Sequence, residues 1–216
     1  LPDITFVAPA FLGETILGFV AVRAHHADVG GMTPGSLPAQ ATEIFQEGLR
    51  IPPVKLWRKG ELDQDLFSLI LANVRTPKER EGDLRAQRAA VETGIRRLSS
   101  LAERFGIRTL LSAYEELCRY AERRMCAAIK AVPNGVYRFA DSLDEGILVC
   151  VELRVHDEEL EVDFTGSSPQ VDFPVNAPFS VTASAVCFAV KAVLDPELPP
   201  NDGAWRPIRI IAPKGT

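Results

Sequence analysis

Apolar and polar residues follow two periods along the chain, and the first pattern is that of a β-hairpin. Ile4–Ala10 and Ile16–Val22 are rich in β-branched and aromatic residues and flank a turn at Gly13-Glu14. The pattern stops at Ala24–Gln40, where glycine and proline cluster and predict a long surface loop. Loops of this length without structure of their own are usually functional, so this loop is the first candidate for a site.

Helical spacing dominates the middle of the chain. A helix beginning at Asp63 or Asp65 carries its apolar residues on one face. Pro77 then opens a long helix, since proline is well tolerated at the first helical position. A second long helix covers Ile107–Val132, and Gly106 separates the two, so together they predict a projecting α-hairpin.

The last third of the chain begins with strand-like alternation and then becomes helical. Ala177–Leu194 has the small, apolar content of a buried helix, and Pro207–Ala212 is typical of a closing strand. A meander precedes them, with predicted strands at Val136–Phe139, Leu148–Val155 and Glu159–Phe164.

These elements predict an α+β fold. In it, a mixed or antiparallel sheet, with strands from both ends of the chain, packs against helices and the α-hairpin projects. We expect residues 1–75 and 133–216 to form an α/β core that carries the β-hairpin and the glycine-rich loop. Residues 76–132 would form the helical arm.

Composition and charge narrow the class of protein. The 216 residues are 46% hydrophobic and 25% charged, which excludes a disordered chain. A net charge of −5 gives no electrostatic reason to bind nucleic acid or an anionic membrane. No apolar run approaches the roughly 18 residues that cross a bilayer. The four cysteines lack metal-type spacing, so we expect a reducing, cytoplasmic location.

Two adjacent histidines lie where the hairpin meets the loop. His25 and His26, followed by Asp28, offer the imidazole and carboxylate ligands that bind Zn, Mn or Fe, although a structural pair of histidines has the same spacing. The hairpin also brings Asp3 to this end. A three-residue turn would pair Asp3 with His25, whereas a two-residue turn would leave His26 as its diagonal neighbour on the same face.

Three further polar residues are candidates for catalysis. Glu47 follows Glu43 by four positions, so a short helix would place both carboxylates on one face as a general base or an extra ligand. Asp83 and Arg85 lie on the long helix, where Arg85 could hold a substrate carboxylate or a phosphorylated intermediate by two parallel hydrogen bonds. The alternatives are surface ion pairs for the glutamates, and hydrogen bonds between helix and core for Asp83, Arg85 and Gln87.

Seven blocks of the sequence carry motifs in a fixed order over nearly the whole chain. They are Leu1–Thr5, Arg23–Gly31, Pro34–Ser36, Glu47–Pro53, Glu81–Gln87, Asp163–Gln170 and Asn201–Gly203. In this order they resemble the hydantoinase B/oxoprolinase family. Since family members are more than twice as long, the resemblance implies that this chain is the central part of a larger subunit.

The resemblance implies an enzyme subunit. Family members open cyclic amides such as a hydantoin or 5-oxoproline by ATP-dependent hydrolysis, and a hydantoinase A-type partner uses the ATP. A small cyclic amide substrate and a hetero-oligomer are therefore expected. Relatives carboxylate acetone or acetophenone, which is the alternative reaction. A third alternative is a non-catalytic fragment that serves as an interaction module.

The resemblance also implies a divalent metal, Mn or Zn. In the carboxylase relatives the metal is held by a His-Leu-Pro-Asp motif and by a histidine from the segment that resembles Arg23–Gly31. Carried over to this sequence, Asp3 is a ligand and His25, rather than His26, is expected to join it. The first histidine of the motif would immediately precede Leu1. Such a metal polarises a carbonyl or lowers the pKa of bound water toward 7.

Overall fold

The computed structural model describes residues 2–216, which form two compact units. The first unit runs to Leu110 and includes Asp172–Pro174, and the second consists of Leu111–Val171 and Val175–Thr216. The two long helices fall mostly into different units, so these boundaries differ from the predicted core and arm. No helix within residues 2–216 is long and apolar enough to span a bilayer. The mixture of helices with antiparallel and parallel strands confirms the predicted α+β class.

The first unit is built on a β-ribbon, a short hairpin and two helices. The ribbon confirms the predicted β-hairpin, and its two strands pair with each other and with no other strand of the described chain. The elements are β1 (Asp3–Leu12), β2 (Thr15–His25), β3 (Trp57–Arg58), β4 (Glu61–Leu62), α1 (Gln64–Ala72) and α2 (Pro77–Phe105).

Helix α2 packs along the ribbon. Its buried face includes Leu84, Gln87 and Val91, and a Cβ added at Gly94 would lie 2.6 Å from Val20 Cγ1 of β2. At Gly94 the helix therefore lies so close to the strand that a residue with a Cβ would clash. This contact fixes α2 on one face of the ribbon.

Helix α1 closes the core of the first unit. Asp63 caps the helix, since its carboxylate accepts a hydrogen bond from Leu66 N at 3.0 Å. The buried side chains of Phe67 and Ile70 then pack with Leu84 of α2. Of the two predicted starting residues, Asp63 is the one that caps the helix.

The second unit contains a mixed four-stranded sheet in the order β5-β6-β7-β8. Its first three strands form the predicted antiparallel meander, and β8 pairs with β7 in parallel. The strands near the two ends of the chain thus belong to separate sheets. The elements are α3 (Ile107–Lys130), β5 (Gly135–Ser142), β6 (Leu148–His156), β7 (Glu159–Asp163), α4 (Phe179–Leu194), α5 (Asp202–Trp205) and β8 (Ile208–Ile211).

Helix α3 supplies one wall of the core in the second unit. Ala121, Met125 and Ile129 recur every four residues and are fully buried. They pack with Val155 of β6 and Leu160 of β7, which point to the same face of the sheet. The helical periodicity of the sequence correctly predicts this stripe.

The prediction that the helix near residue 177 is buried is wrong. Only Val186 of α4 is buried, and Phe188 is 76% exposed. An open apolar groove of about 1090 Å³ lies beside α4, and its walls include Val151 of β6 and Val190 of α4. Small apolar residues indicate that a helix can be buried, but burial also needs a covering element, and residues 2–216 supply cover on one side only.

Candidate functional site

The register of the ribbon places Asp3 directly opposite His25. The turn itself is the two-residue Gly13-Glu14, flanked by the pair Leu12 and Thr15. A β-bulge then adds Leu17 to β2, so that Ala10 faces Gly18 and the remaining pairs shift by one residue. The structure therefore has the two-residue turn, but the bulge gives it the register expected of a three-residue turn, in which Asp3 faces His25.

Asp3 and His25 form one of the two contacts that the hairpin leaves open, and it is the one that the family resemblance favours. His25 Nδ1 lies 2.9 Å from Asp3 Oδ1, and Arg23 Nη2 lies 3.3 Å from Asp3 Oδ2. The imidazole is 55% exposed, whereas the carboxylate is mostly covered. One nitrogen ligand and one oxygen ligand therefore meet at an accessible edge of the ribbon, and this donor chemistry suits Mn²⁺ or Zn²⁺.

His26 points away from this pair and into the protein. It is 1% exposed, and its Nε2 lies 2.9 Å from Gln87 Oε1 of α2. Gln87 Nε2 in turn donates to the backbone oxygen of Ile4 at 2.8 Å. His26 and Gln87 therefore tie the open end of the ribbon to α2, which is the helix-to-core role that the sequence offers as an alternative for Gln87.

Asp28 is committed to the backbone of the glycine-rich loop. Its carboxylate accepts hydrogen bonds from Gly30 N (2.9 Å), Gly35 N (3.1 Å), Arg75 N (3.1 Å) and Arg75 Nη1 (2.9 Å). Burial raises the pKa of this carboxyl, but the hydrogen bonds from Gly30, Arg75 and Gly35 outweigh burial and lower it to about 2. The anion thus organises the loop and does not face His25.

Arg75 and Ser36 complete the loop. The Arg75 guanidinium also donates to the backbone oxygens of Gly31 (2.6 Å) and Thr33 (2.9 Å). Ser36 is buried, accepts from Val29 N at 2.8 Å and donates to a loop carbonyl. The segment predicted as a long surface loop is consequently a tightly bonded structure, which can hold a fixed shape beside the Asp3 and His25 pair.

The three candidate catalytic residues lie in other local contacts. The predicted short helix is a single 3-10 turn, Ile44–Gln46, and Glu47 follows its last residue. Asp83 lies 3.0 Å from Arg80, and Arg85 pairs with Glu81 at 2.8 Å. Both pairs are the ordinary kind formed by neighbours on one helix face.

The structure joins two of the four predicted metal ligands. Asp3 and His25 are in contact, while His26 and Asp28 bond to Gln87 and to the loop. Within residues 2–216, no three His, Cys, Asp or Glu side chains cluster as a metal site. The sequence does not reveal the role of Arg75, because no local pattern indicates a partner 47 positions away.

Comparison with known proteins identifies the family. The family model of hydantoinase B/oxoprolinase matches residues 1–216, and the chain belongs to this family. It is 35% identical over 233 residues to the B-type subunit of a putative D-/L-hydantoinase from a Pseudomonas species, and the match covers all of this chain and 39% of that relative. The chain thus spans about two fifths of the length of this relative.

Solved structures share the fold. The ATP-dependent caprolactamase of Pseudomonas jessenii superimposes with a TM-score of 0.88 at 32% identity, over 100% of this chain and 38% of that chain. A nucleotide-free acetone carboxylase gives a TM-score of 0.88 at 25% identity, over 100% of this chain and 31% of that chain. The same fold therefore occurs in an enzyme named as an ATP-dependent caprolactamase and in one named as an acetone carboxylase.

Proposed function

We propose that this chain is the central part of a hydantoinase B/oxoprolinase-type subunit in an ATP-dependent cyclic amide hydrolase. Its substrate class would be a hydantoin or 5-oxoproline, and a hydantoinase A-type partner would use the ATP. The names of its relatives support this proposal, since they include a putative D-/L-hydantoinase, a 5-oxoprolinase and the beta subunit of a caprolactamase. The single structural observation that carries it is the contact between Asp3 and His25.

In this proposal Asp3 and His25 hold a divalent metal, Mn or Zn, together with ligands from outside residues 2–216. When bound, such a metal polarises a carbonyl or supplies hydroxide near neutral pH. The chain's own residues position the pair. Gln87 bonds both Ile4, the residue after Asp3, and His26, the residue after His25, so one side chain of α2 holds the backbone next to each proposed ligand.

The roles proposed for Glu47, Asp83 and Arg85 are separate from the metal. Glu47 would act as a general base, and Arg85 would hold an anionic group of the substrate or intermediate after leaving Glu81. Asp83 would orient Arg80, its partner at 3.0 Å. Single substitutions in the hydrolysis assay described next test each role.

The experiment uses the complete protein purified with its partner. Metal content and ATP-dependent hydrolysis of hydantoin and 5-oxoproline are measured for the native complex, Asp3→Asn and His25→Ala. His156→Ala is the matched control, since His156 is an exposed histidine near Asp157, at 3.6 Å, in the second unit. We expect the first two variants to lose metal and at least about a hundredfold of activity, and the control to keep both. Full metal content and activity in His25→Ala would refute the proposal.

The acetone carboxylase likeness supports a second candidate reaction. In ketone carboxylation, Asp3 and His25 would hold the same metal, which would stabilise an enolate instead of activating water. The same complexes are therefore assayed with acetone, bicarbonate and ATP. Carboxylated product without amide hydrolysis would favour the carboxylase, and neither product in a metal-containing complex would favour a non-catalytic module.

A further inference from the structure

Two residues that line one small cavity in the first unit carry buried, unpaired polar atoms. His26 is 1% exposed and Arg80 is 6% exposed, and within residues 2–216 neither His26 Nδ1 nor Arg80 Nε has a hydrogen-bond partner. Both side chains line a cavity of about 10 Å³. The rest of its wall consists of Asp28, whose carboxylate is bonded to the loop and to Arg75, and of aliphatic residues, which include Ile4, Val29, Leu49, Ile51 and Leu84.

The hydrogen bonds of Gln87 define the chemistry of His26. Because Gln87 Nε2 donates to the Ile4 oxygen at 2.8 Å, its Oε1 is the acceptor for His26 at 2.9 Å. His26 Nε2 must therefore carry the proton, and in the neutral ring Nδ1 is an acceptor. Arg80 Nε is a donor only. The cavity is therefore lined by one residue with an unpaired acceptor and one with an unpaired donor, and also by the bonded carboxylate of Asp28.

We propose that this cavity is a binding site for a single water molecule, which accepts from Arg80 Nε–H and donates to His26 Nδ1. Water is the ligand that does both. An anion has no proton to donate to His26, and a metal cation would lie against the Arg80 guanidinium. A cavity of about 10 Å³ is at the lower limit of the size that holds a single water, and buried waters typically bond to polar groups that are otherwise unpaired.

The water makes His26 a positioning residue for the Asp3 and His25 pair. His26 is then joined to α2 at two points, directly through Gln87 and through water to Arg80. The buried Arg80 is itself held at 3.0 Å by Asp83, whose carboxylate is half exposed, so the chain of bonds ends on this carboxylate. Since His25 precedes His26 in the chain, this double attachment restricts the backbone that aims the His25 ring. This step rests on the proposed metal function, whereas the water site does not.

The water is tested in the native protein. A high-resolution crystal structure is expected to show density within hydrogen-bond distance of both His26 Nδ1 and Arg80 Nε. Nitrogen-15 spectra of the histidine rings are expected to show a protonated Nε2 and a hydrogen-bonded, unprotonated Nδ1 for His26. An ordered but dry cavity, an ion in it, or a protonated Nδ1 overturns the proposal.

The positioning role is tested with His26→Gln in the complete protein. The glutamine amide can still donate to Gln87 but offers no group at the place of Nδ1. We expect Mn²⁺ affinity, measured by electron paramagnetic resonance titration, to fall about tenfold, as is typical when a group behind a metal ligand is removed. His156→Gln is the control and keeps the native affinity.

The outcomes separate the two proposals. If the native protein takes up no metal, the proposed function fails. The water site is still tested separately, by the electron density in the cavity. If the native protein takes up Mn²⁺ and His26→Gln holds it equally well, the positioning role is wrong. His26→Asn places an acceptor near the position of Nδ1. If His26→Gln loses about tenfold in Mn²⁺ affinity and His26→Asn loses less, the role of Nδ1 is supported.

Discussion

The Asp3 carboxylate faces His25 across the ribbon, with 2.9 Å between Oδ1 and Nδ1, and shares its second oxygen with Arg23. The guanidinium and a bound metal would compete for the same anion. We predict that Arg23→Gln tightens Mn²⁺ binding about two- to fivefold at low ionic strength, because one repulsive charge is removed. Arg58→Gln, an exposed arginine elsewhere in the unit, is the control. Equal affinities at low salt would contradict the prediction.

Asp28 should make stability depend on acid pH. Its folded-state pKa of about 2 lies below the ordinary 3.8, so the stabilisation that its anion provides is complete above about pH 5 and is lost as pH falls toward 2. We expect the native protein to lose about 1–2 kcal/mol of unfolding free energy over this interval through Asp28. Urea denaturation at a series of pH values measures the loss.

Replacing Asp28 tests the same carboxylate at neutral pH. Asp28→Asn removes the charge that pairs with Arg75 and places an amide donor against loop N–H groups, so we expect a cost of about 2–4 kcal/mol and a flatter acid profile. Asp144→Asn, in the exposed turn between β5 and β6, should change neither. An Asp28→Asn profile as steep as the native one would assign the acid sensitivity to other groups.

Gly31 is required by contact as well as by conformation. It has a φ of +84°, and a Cβ there would lie 2.5 Å from the Gln46 oxygen. Gly35 has nearly the same φ, +86°, but nothing within 4 Å of its added Cβ. We predict that Gly35→Ala costs about 1 kcal/mol and Gly31→Ala at least about 2 kcal/mol more, measured by thermal unfolding. Equal costs would show that conformation alone matters.

Two glycines of α2 should respond in opposite directions. Gly82 has open space around its added Cβ, so Gly82→Ala should stabilise the protein by about 0.5–1 kcal/mol. At Gly94 the new methyl would meet Val20 Cγ1 at 2.6 Å, and we expect a loss of about 1–3 kcal/mol. Chemical denaturation of both variants measures the two effects, and a stabilised Gly94→Ala would mean that α2 moves easily on the ribbon.

Local patterns predict most of the secondary structure. Period-two alternation locates β1 and β2, and helical spacing locates the buried stripe of Ala121, Met125 and Ile129. These patterns succeed because one face of each element is buried while the other is solvated. The family motifs likewise lead to Asp3 and His25, which the structure joins.

Contacts between distant residues cannot be predicted in this way. Asp28 resembles a metal ligand in the sequence because it follows two histidines, but its actual partner, Arg75, lies 47 positions away. The sequence leaves both hairpin registers open because Gly18, a residue type that often marks a bulge within a strand, does not by itself fix the register. The composition of α4 is that of a buried helix, but composition counts apolar residues and does not show what covers them.

The number of residues in β2 after the bulge at Leu17 determines which residue faces Asp3. Seven residues, Gly18 to Ala24, lie between the bulge and His25. Deleting any one of them would bring His26 opposite Asp3 and take from Gln87 its imidazole partner. Substitutions on the solvent face of this stretch are therefore compatible with the site. A deletion of one residue puts His26 in the place of His25, and an insertion of one residue puts Ala24 there.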